Sequence, residues 1–245
     1  QFFEPLELSQ GAATLMVALD KSIFFITDDQ PEPVECLSLL IPAGMSVRLD
    51  SRDAIIASCN LDPLGNDFAA LSSLMQEHKN GAAYQLRCEE NFIAGFWQIY
   101  QSPPDSKTIY KLLDQLLPSD KKLSINGHCI DQRVVEVIRL IKQRIHDNVS
   151  VDDLADAVTL SAPRLVQLFK QQTGIPIRRY RMWHRLYVTA LRIGKGENFT
   201  EAAIAAGFTD SSHFCRTAQS MFGMAPSFLL AEPNNLRIII PDEAG

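Results

Sequence analysis

Cysteine is scarce in this sequence, and its spacing excludes two common kinds of stabilising site. Only five cysteines occur among the 245 residues, and no two of them form a C-x-x-C pair. A disulfide framework needs an even set of cysteines, and a structural zinc site needs closely spaced ligand pairs. The cysteines therefore favour a reducing compartment, and we expect a cytoplasmic protein.

Long apolar runs are also absent, although 46% of the residues are hydrophobic. A membrane-spanning helix needs about 18 or more apolar residues in a row, and no stretch of the chain comes near that length. The first residues do not place basic side chains before an apolar segment, as a secretory signal would. The sequence predicts neither a membrane span nor a signal peptide.

Residue patterns that support catalysis are missing as well. Neither the phosphate-binding pattern G-x-x-x-x-G-K nor the nucleophile pattern G-x-S-x-G occurs. All five histidines lie outside residues 10–62, where short strands are predicted, so a β-barrel enzyme would lack metal ligands there. A catalytic domain in residues 1–117, fused to a C-terminal part with another role, is disfavoured for the same reason. We expect no enzyme activity, no cofactor and no metal.

Negative charge dominates the chain as a whole, but it is concentrated in the N-terminal half. The formal net charge is −6 at pH 7. Residues 1–130 hold 9 Lys and Arg against 17 Asp and Glu, whereas residues 131–231 hold 13 against 9. This asymmetry predicts an acidic N-terminal body beside a C-terminal part that faces phosphate groups.

The stretch 198–226 has the pattern of a helix-turn-helix. Asn198 is a suitable N-cap for a short, alanine-rich helix, and Glu201 stands where a capping residue reaches back. Gly207 supplies the permissive backbone that a tight turn needs. The helix that follows is polar around a central Phe214. In this motif the second helix enters the major groove of DNA.

A second copy of this pattern lies earlier in the chain. Ser150 has a similar capping pattern 48 positions before Asn198, and beyond the turn the offset becomes 49. Two copies are too few for a solenoid, which needs about three repeats to bury a continuous core. The repeat therefore predicts two DNA-reading modules in tandem, module 1 (residues 150–174) and module 2 (residues 198–223).

Three segments resemble the AraC/XylS family of bacterial transcription regulators: LADAVTLSAPRLVQLFKQQTG, RMWHRLYVTALRI and AAIAAGFTDSSHFCRTAQSMFGMAP. The resemblance covers residues 131–231 and is most specific at residues 185, 186 and 190 of the linking segment and at residues 207–208, 213–216 and 223–226. It implies an all-α domain in which a linking helix, residues 177–193, joins the two modules. It also implies double-stranded promoter DNA and RNA polymerase as partners, a homodimer, and activation more often than repression.

The resemblance and the pattern of exposed positions together indicate the residues that contact DNA. In a major groove, Arg pairs with guanine and Gln with adenine through two hydrogen bonds. The predicted contacts are Pro163, Arg164, Val166, Gln167 and Lys170 in module 1, and Ser211, Ser212, His213, Cys215, Arg216 and Gln219 in module 2. A role in helix packing is the alternative for His213.

Three arginines of the linking helix lie three and four positions apart and share one face: Arg178, Arg181 and Arg185. They are predicted to contact phosphate, a second ligand or another subunit, and a solvated face is the alternative. Thr159 stands where many relatives have Gly, and Ala218 replaces a large aromatic residue. Gln219 and Ser220 also replace a basic pair that is common in the family. Thr159 therefore predicts strain in the first turn, and the departures in module 2 predict weaker DNA binding by that module.

Residues 10–62 alternate between short apolar runs and turn-like breaks, which is typical of a small β-barrel or sandwich. Part of this region, SLLIPAGMSVRLDSRDAIIASCNLDP, resembles the cupin-like sensor domain common in the same family. A small-molecule effector is the expected partner of such a domain. Four residues are candidates either for its pocket or for plain core: Phe24, Phe25, Met45 and Cys59.

Helices are predicted after the strands. Residues 67–78 have apolar side chains at helical spacing, and residues 82–100 fit either two strands or partly a helix. Residues 108–117 are predicted to form a helix with one wide apolar face. The face includes Ile109, Leu112, Leu113 and Leu116. Family members often dimerise through a helix here, so this face is either a homodimer seam or packs within its own domain.

The sequence therefore predicts an α+β protein of two domains. They are a cupin-like, small-barrel domain (residues 1–117) and an all-α double helix-turn-helix domain (131–231), with a linker (118–130) between them and a tail (232–245). The predicted function is sequence-specific regulation of transcription, controlled by a small molecule or partner that acts on the first domain. The alternative is a regulator that works through protein–protein interaction because module 2 binds DNA weakly.

Overall fold

A computed structural model describes residues 6–9, 11–28, 30–61, 67–102, 105–116 and 131–222. They fall into two compact units, one within residues 1–127 and the other within residues 128–238. The fold class is confirmed, because a β-rich N-terminal unit precedes an all-helical C-terminal unit. The predicted linker (118–130), the family motif 223–226 and the predicted tail (232–245) lie outside the described residues.

The described part of the N-terminal unit contains nine strands. They are β1 (Leu6–Ser9), β2 (Ala13–Ala18), β3 (Ile23–Thr27), β4 (Gln30–Cys36), β5 (Ser38–Ile41), β6 (Ser46–Asp50), β7 (Ile56–Leu61), β8 (Met75–Lys79) and β9 (Ala82–Leu86). All pairs are antiparallel, and the strands form two sheets, ordered β1-β6-β3-β4 and β7-β2-β5-β9-β8. Neither sheet closes on itself in the described ranges, so two open sheets replace the predicted small barrel.

Strand β2 shows why the two sheets stack. Met16 and Ala18 face a core that the two sheets share, whereas Leu15 and Val17 face a second core on the other side of the sheet. Successive side chains of a strand point to opposite faces, and here both faces are covered. The strand is therefore apolar along nearly its whole length, and its last five residues are buried.

Helices cover the outer face of the second sheet: α1 (Asp67–Leu74), α2 (Glu89–Gln101) and α3 (Ser106–Leu116). Phe92 and Phe96 of α2 are buried in the same core as Leu15. Ile109 of α3 is buried there too. The apolar face of α3 also lies on α2, since a Cβ on Gly95 would be 3.2 Å from Leu116 and 3.6 Å from Leu112. The four residues predicted as a homodimer seam are thus placed for packing within their own domain.

Two segments predicted from spacing alone differ in the structure. The predicted helix 67–78 ends at Leu74, because Met75 begins β8 and pairs with Leu86 of β9. One histidine, His78, therefore does lie in a strand. Residues 82–100 contain β9 and then α2, so the partly helical alternative is correct.

The described part of the C-terminal unit consists of six helices. They are α4 (Gln132–Gln143), α5 (Val151–Ala157), α6 (Ala162–Thr173), α7 (Ile177–Gly194), α8 (Phe199–Ala205) and α9 (Ser211–Phe222). Helix α4 packs on α5 and α6, while α7 packs on α6, α8 and α9. Because α7 touches both modules, it is the element that positions one relative to the other.

No helix among the described residues is both long and apolar enough to cross a membrane. The same residues contain no group of three or more His, Cys, Asp or Glu side chains arranged to hold a metal ion.

Candidate nucleic-acid interface

Module 1 begins with a capping box that fixes the start of α5. The Ser150 hydroxyl accepts a hydrogen bond from the Asp153 N–H (3.0 Å), and the Asp153 carboxylate accepts one from the Ser150 N–H (3.2 Å). Hydrogen bonding of the Asp153 carboxylate to Ser150, first to its side chain and then to its backbone N–H, lowers the pKa of Asp153. Leu154 and Ala155 follow the box and are buried. The predicted cap is therefore present, and it satisfies two N–H groups that the helix leaves unpaired.

The turn of module 1 holds a residue in an unfavourable backbone conformation. Thr159 has a φ of 56°, and the matching residue of module 2, Gly207, has a φ of 92°. Both values lie in the left-handed region, which glycine adopts freely and β-branched residues rarely adopt. The backbone thus gives the physical reason for the strain predicted at Thr159.

Helix α6 buries one face and exposes the other. Leu165 and Phe169 are fully buried against the rest of the unit. The five predicted DNA contacts lie on the opposite side and are all exposed: Pro163, Arg164, Val166, Gln167 and Lys170. Arg164 Nη1 donates a hydrogen bond to Gln167 Oε1 (3.2 Å), which holds two of these side chains together.

Helix α9 is built in the same way, with an aromatic core behind it. Asp210 caps the helix by accepting a hydrogen bond from the His213 N–H (2.7 Å). Phe214 is buried, with its ring centroid 5.2 Å from that of Phe208 and 4.9 Å from that of Phe199. On the other face Ser212, Arg216 and Gln219 are exposed, and Ser211 is half-buried.

Two predicted contacts of module 2 turn towards the protein. Cys215 is half-buried and packs against the core of module 2. The His213 ring lies edge-on to Phe208 with centroids 5.3 Å apart, and its Nδ1 is 3.2 Å from the hydroxyl oxygen of Thr209. The structure therefore groups Cys215 with the core, and helix packing accounts for the position of His213. Module 2 is left with a smaller exposed set than module 1.

The three arginines of α7 do not share one environment. Arg178 is exposed, but Arg181 Nη2 donates to the Val149 carbonyl (2.8 Å). Arg185 is only 3% exposed, and its guanidinium group donates to the Ile145 carbonyl at 3.3 and 3.1 Å. Burial lowers the pKa of both Arg181 and Arg185. Both arginines tie α7 to the segment after α4, and the burial of Arg185 corrects the prediction that it contacts phosphate, a second ligand, another subunit or solvent.

Comparison with known sequences concerns the same two modules. Residues 154–232 match a family model described as a helix-turn-helix domain. The chain is 34% identical over 97 residues to the transcriptional activator RhrA of Rhizobium meliloti, covering 36% of this chain and 31% of RhrA. It is 27% identical over 154 residues to the transcriptional activator RhaS of Pectobacterium atrosepticum, covering 59% of this chain and 53% of RhaS.

The C-terminal part of the chain is an AraC-type helix-turn-helix domain. A third relative is the bifunctional transcriptional activator/DNA repair enzyme Ada of Escherichia coli, 32% identical over 104 residues. That match covers 42% of this chain and 28% of Ada. The chain therefore spans less than a third of Ada and RhrA and about half of RhaS.

Solved structures extend the likeness beyond the AraC-type domain. ToxT from Vibrio cholerae covers 93% of this chain and is itself 92% covered, with a TM-score of 0.60 and 15% sequence identity. A structure of ToxT with a bound unsaturated fatty acid gives a TM-score of 0.58, also at 15% identity, covering 93% of this chain and 89% of ToxT. At this identity the likeness shows the fold alone: a β-rich unit followed by the AraC-type domain.

The residues predicted to line an effector pocket, all N-terminal to the AraC-type domain, are not brought together. Phe25 is fully buried between the two sheets, and Met45 packs against the same core. Cys59 packs on the helix side of the second sheet. Phe24 is half-buried, with the guanidinium carbon of Arg52 3.8 Å from its ring centroid. The core alternative accounts for Phe25, Met45 and Cys59, and the predicted pocket is not formed by these four.

The AraC-type domain has an apolar groove that the sequence analysis does not predict. Val151, the first residue of α5, and Ala162, the first of α6, join Pro163 and Val166 in a shallow apolar groove. A signal was available in the repeat, where Val151 aligns with Phe199 of module 2. Phe199 packs on the core of its module, and Val151 has a smaller side chain at the matching position.

Proposed function

We propose that this protein is a transcription regulator that binds promoter DNA through α6 and α9. One observation carries the proposal: each helix buries an apolar face and exposes hydrogen-bond donors on the other. The exposed donors include Gln167 and Lys170 on α6, and Arg216 and Gln219 on α9. The names of RhrA, RhaS and Ada, all called transcriptional activators, favour activation over repression.

The exposed side chains suit separate tasks at the DNA surface. Arg216 has the fork of donors that pairs with guanine, and Gln167 has the amide that pairs with adenine. Lys170 is placed near the C-terminal end of α6 and provides a point charge for a phosphate group. Because α6 and α9 both pack on α7, a single connector sets their separation. In tandem readers the two helices enter successive major grooves about one helical turn apart.

We infer that a small molecule acting on the N-terminal unit controls DNA binding. ToxT, which shares the fold, has been solved with an unsaturated fatty acid and with (E)-4-(8-methylnaphthalen-1-yl)but-3-enoic acid. Both ligands are carboxylic acids with large apolar bodies, so this chemical class is the first to screen. An effector acts only if it binds one conformation more tightly than the other. A rise in melting temperature that grows with ligand concentration would reveal such binding.

We propose two protein partners, RNA polymerase and a second copy of the chain. Activation requires contact with RNA polymerase, and the family resemblance implies a homodimer. The apolar face of α3 packs within its own domain but keeps Leu112, Leu113 and Leu116 half-buried, so the surface of a homodimer is to be found by experiment. Sedimentation of the full chain, alone and with DNA, measures the oligomeric state directly.

The test of DNA binding begins with genome-wide capture of DNA fragments by the purified full chain. We expect a shared site with two elements about one helical turn apart. Affinity for the best fragment should fall with rising salt concentration, because phosphate contacts release counterions. Recovery of random fragments alone would favour the alternative in which the protein works through another regulator.

Three variants then assign the contacts. Lys170→Ala should weaken binding to all sequences and reduce the salt slope by about 1. Arg216→Ala should cost about 1–3 kcal/mol and relax the sequence preference at one position. Arg139→Ala is the matched control, because this exposed arginine of α4 bonds to Glu136 and Gln143 of its own helix. Wild-type affinity in both test variants would contradict the proposed interface.

A further inference from the structure

An apolar groove interrupts the polar surface of α6. Val151, Ala162, Pro163 and Val166 contribute to it, and its exposed lining is almost entirely apolar. Val166 is 41% exposed, and in the described part of this unit it is one of three exposed large hydrophobic side chains, with Tyr187 and Ile204. Burying Val166 would stabilise a complex by removing its methyl groups from water. A binding partner that covers the groove would therefore gain free energy of binding from this contact.

The groove lies among the donors of the proposed DNA interface. Pro163 and Val166 are three positions apart and Lys170 is four further on, so the three share one face of α6. Gln167 and Lys170 border the groove itself. Arg164, bonded to Gln167, is exposed beside it. In a DNA major groove, apolar groups and base edges lie between two rows of phosphates. The apolar groove of α6, flanked by the cations Lys170 and Arg164 and the amide of Gln167, complements that arrangement.

Only one major-groove group is apolar, the C5-methyl group of thymine, and side chains recognise it by apolar contact. Thymine is therefore the chemical partner that the groove fits. The matching positions of module 2 have different chemistry: Ser211, Ser212 and Cys215 replace Ala162, Pro163 and Val166. Cys215 also packs against the core of module 2.

We propose that module 1 recognises thymine methyl groups through Pro163 and Val166. Module 2, with Ser212 and Arg216 at its surface, reads its element through hydrogen bonds. The two elements of one DNA site are then distinguished by different chemistry, which fixes the direction in which the protein lies on the site. This inference rests on the proposed function, because it requires that α6 enters the major groove.

The test replaces thymine with deoxyuridine, which lacks the C5-methyl group but keeps the same hydrogen bonds. Single replacements are made through both elements of the best captured fragment, and affinity is measured with the full chain. The DNA element bound by module 1 is identified as the one whose protection in a DNA footprint decreases when Lys170→Ala replaces the wild-type protein. At a contacted thymine, the replacement should weaken wild-type binding about fourfold, the value expected for one buried methyl group. Replacements in the element of module 2 serve as the internal control.

A double-mutant cycle assigns the contact to a side chain. In Val166→Ala the same deoxyuridine should have little further effect, because the methyl group has lost its partner. Cys215→Ala is the matched protein control and should keep the full fourfold effect. Val166 is exposed, so the variant should fold, and an unchanged circular dichroism spectrum and melting temperature verify this.

Three results would overturn the inference or its foundation. If wild-type protein binds its site specifically but tolerates deoxyuridine at every position, the inference is wrong and the proposed function stands. If the fourfold loss persists undiminished in Val166→Ala at every contacted thymine, Val166 recognises no methyl group and its assignment is wrong. If no specific, salt-dependent binding is found at all, the proposed function itself fails.

Discussion

Gly207 lies directly against the guanidinium group of Arg185. A Cβ atom on Gly207 would be 2.9 Å from Arg185 Nε and 2.6 Å from the Ile145 carbonyl oxygen. The turn of module 2, the linking helix α7 and the segment after α4 therefore meet at one point. A residue without a side chain is needed there, both for the contact and for the left-handed backbone, with φ at 92°.

Replacing Gly207 with Ala should lower the free energy of unfolding of the C-terminal unit by about 3 kcal/mol. Part of the loss is backbone strain, and the rest is the clash with Ile145 and Arg185. Urea unfolding measures it through the fluorescence of Trp183. The chain has two tryptophans, so a Trp97→Phe background leaves Trp183 to report on this unit alone.

Gly196→Ala is the control for that experiment. Gly196 also has a left-handed φ, at 87°, but no described atom lies within 4 Å of the position of its Cβ. The variant should therefore show the backbone cost alone, about 1 kcal/mol. Equal losses in the two variants would contradict a role for the contact between Gly207 and Arg185.

Arg185→Met should lower the free energy of unfolding by about 1–2 kcal/mol. The Ile145 carbonyl would lose both of its bonds from Arg185, and Asn148 Oδ1 would lose a bond of 3.1 Å. Because the variant no longer buries a charged group, it also avoids a desolvation cost, and this gain offsets part of the loss. The same urea titration measures it, and Arg178→Met, on the exposed side of α7, should stay within about 0.5 kcal/mol of wild type. If Arg185→Met leaves the free energy of unfolding unchanged, the guanidinium group does not hold α7 in place.

Thr159→Asn should raise the free energy of unfolding by about 1 kcal/mol. Asn tolerates the left-handed backbone that Thr159 adopts, because it has no branch at Cβ and bonds to its own backbone. Thr159→Val keeps the branch and removes only the hydroxyl group, so it should give no gain. If Val stabilises as much as Asn, loss of the hydroxyl group and not relief of strain is the cause.

Asp131 should titrate well below an ordinary aspartate. It caps α4 by accepting a hydrogen bond from the Arg133 N–H, and its carboxylate also pairs with the Arg133 guanidinium group at 2.6 Å. The side-chain bond to Arg133 is the main cause that lowers the pKa of Asp131 to about 2. The lowered pKa means that this contribution to stability is present above about pH 4 and is lost as pH falls towards 2.

Carboxyl-carbon NMR titration of the folded protein measures the pKa of Asp131 directly. In Arg133→Met the pKa should rise but stay below the ordinary value of about 3.9, because the backbone bond remains. A pKa that does not move in this variant would rule out the guanidinium group as the cause. Asp153, which bonds to Ser150 and not to Arg133, supplies the internal reference.

The helices of the C-terminal unit could be predicted because their signals are local. Ser150 and Asn198 cap α5 and α8 as expected, and Gly207 forms the turn. The linking helix was predicted over residues 177–193 and spans Ile177–Gly194. Caps, turn residues and helical periodicity act over a few positions, so one sequence is enough to locate them.

The directions of side chains could not be predicted, because they depend on distant partners. Arg181 and Arg185 have the spacing of an exposed face, yet they bond to carbonyls 32 and 40 residues earlier in the chain. Phe25 and Cys59 likewise have similar apolar surroundings in sequence but lie in different cores. Periodicity tells which residues share a face, whereas only the fold tells what covers that face.

The guanidinium bonds of Arg181 and Arg185 have a consequence for the DNA that the proposed interface would accept. Arg181 and Arg185 fasten α7 to the segment between α4 and α5, so the connector resists bending. Adding one base pair between the two elements would rotate the second by about 34° and move it about 3.4 Å along the duplex. If α7 does not bend, the DNA must twist or bend to bring both elements into contact with the protein. The free energy needed to deform DNA in this way depends on its sequence. The untouched base pairs between the elements would then help to choose the site.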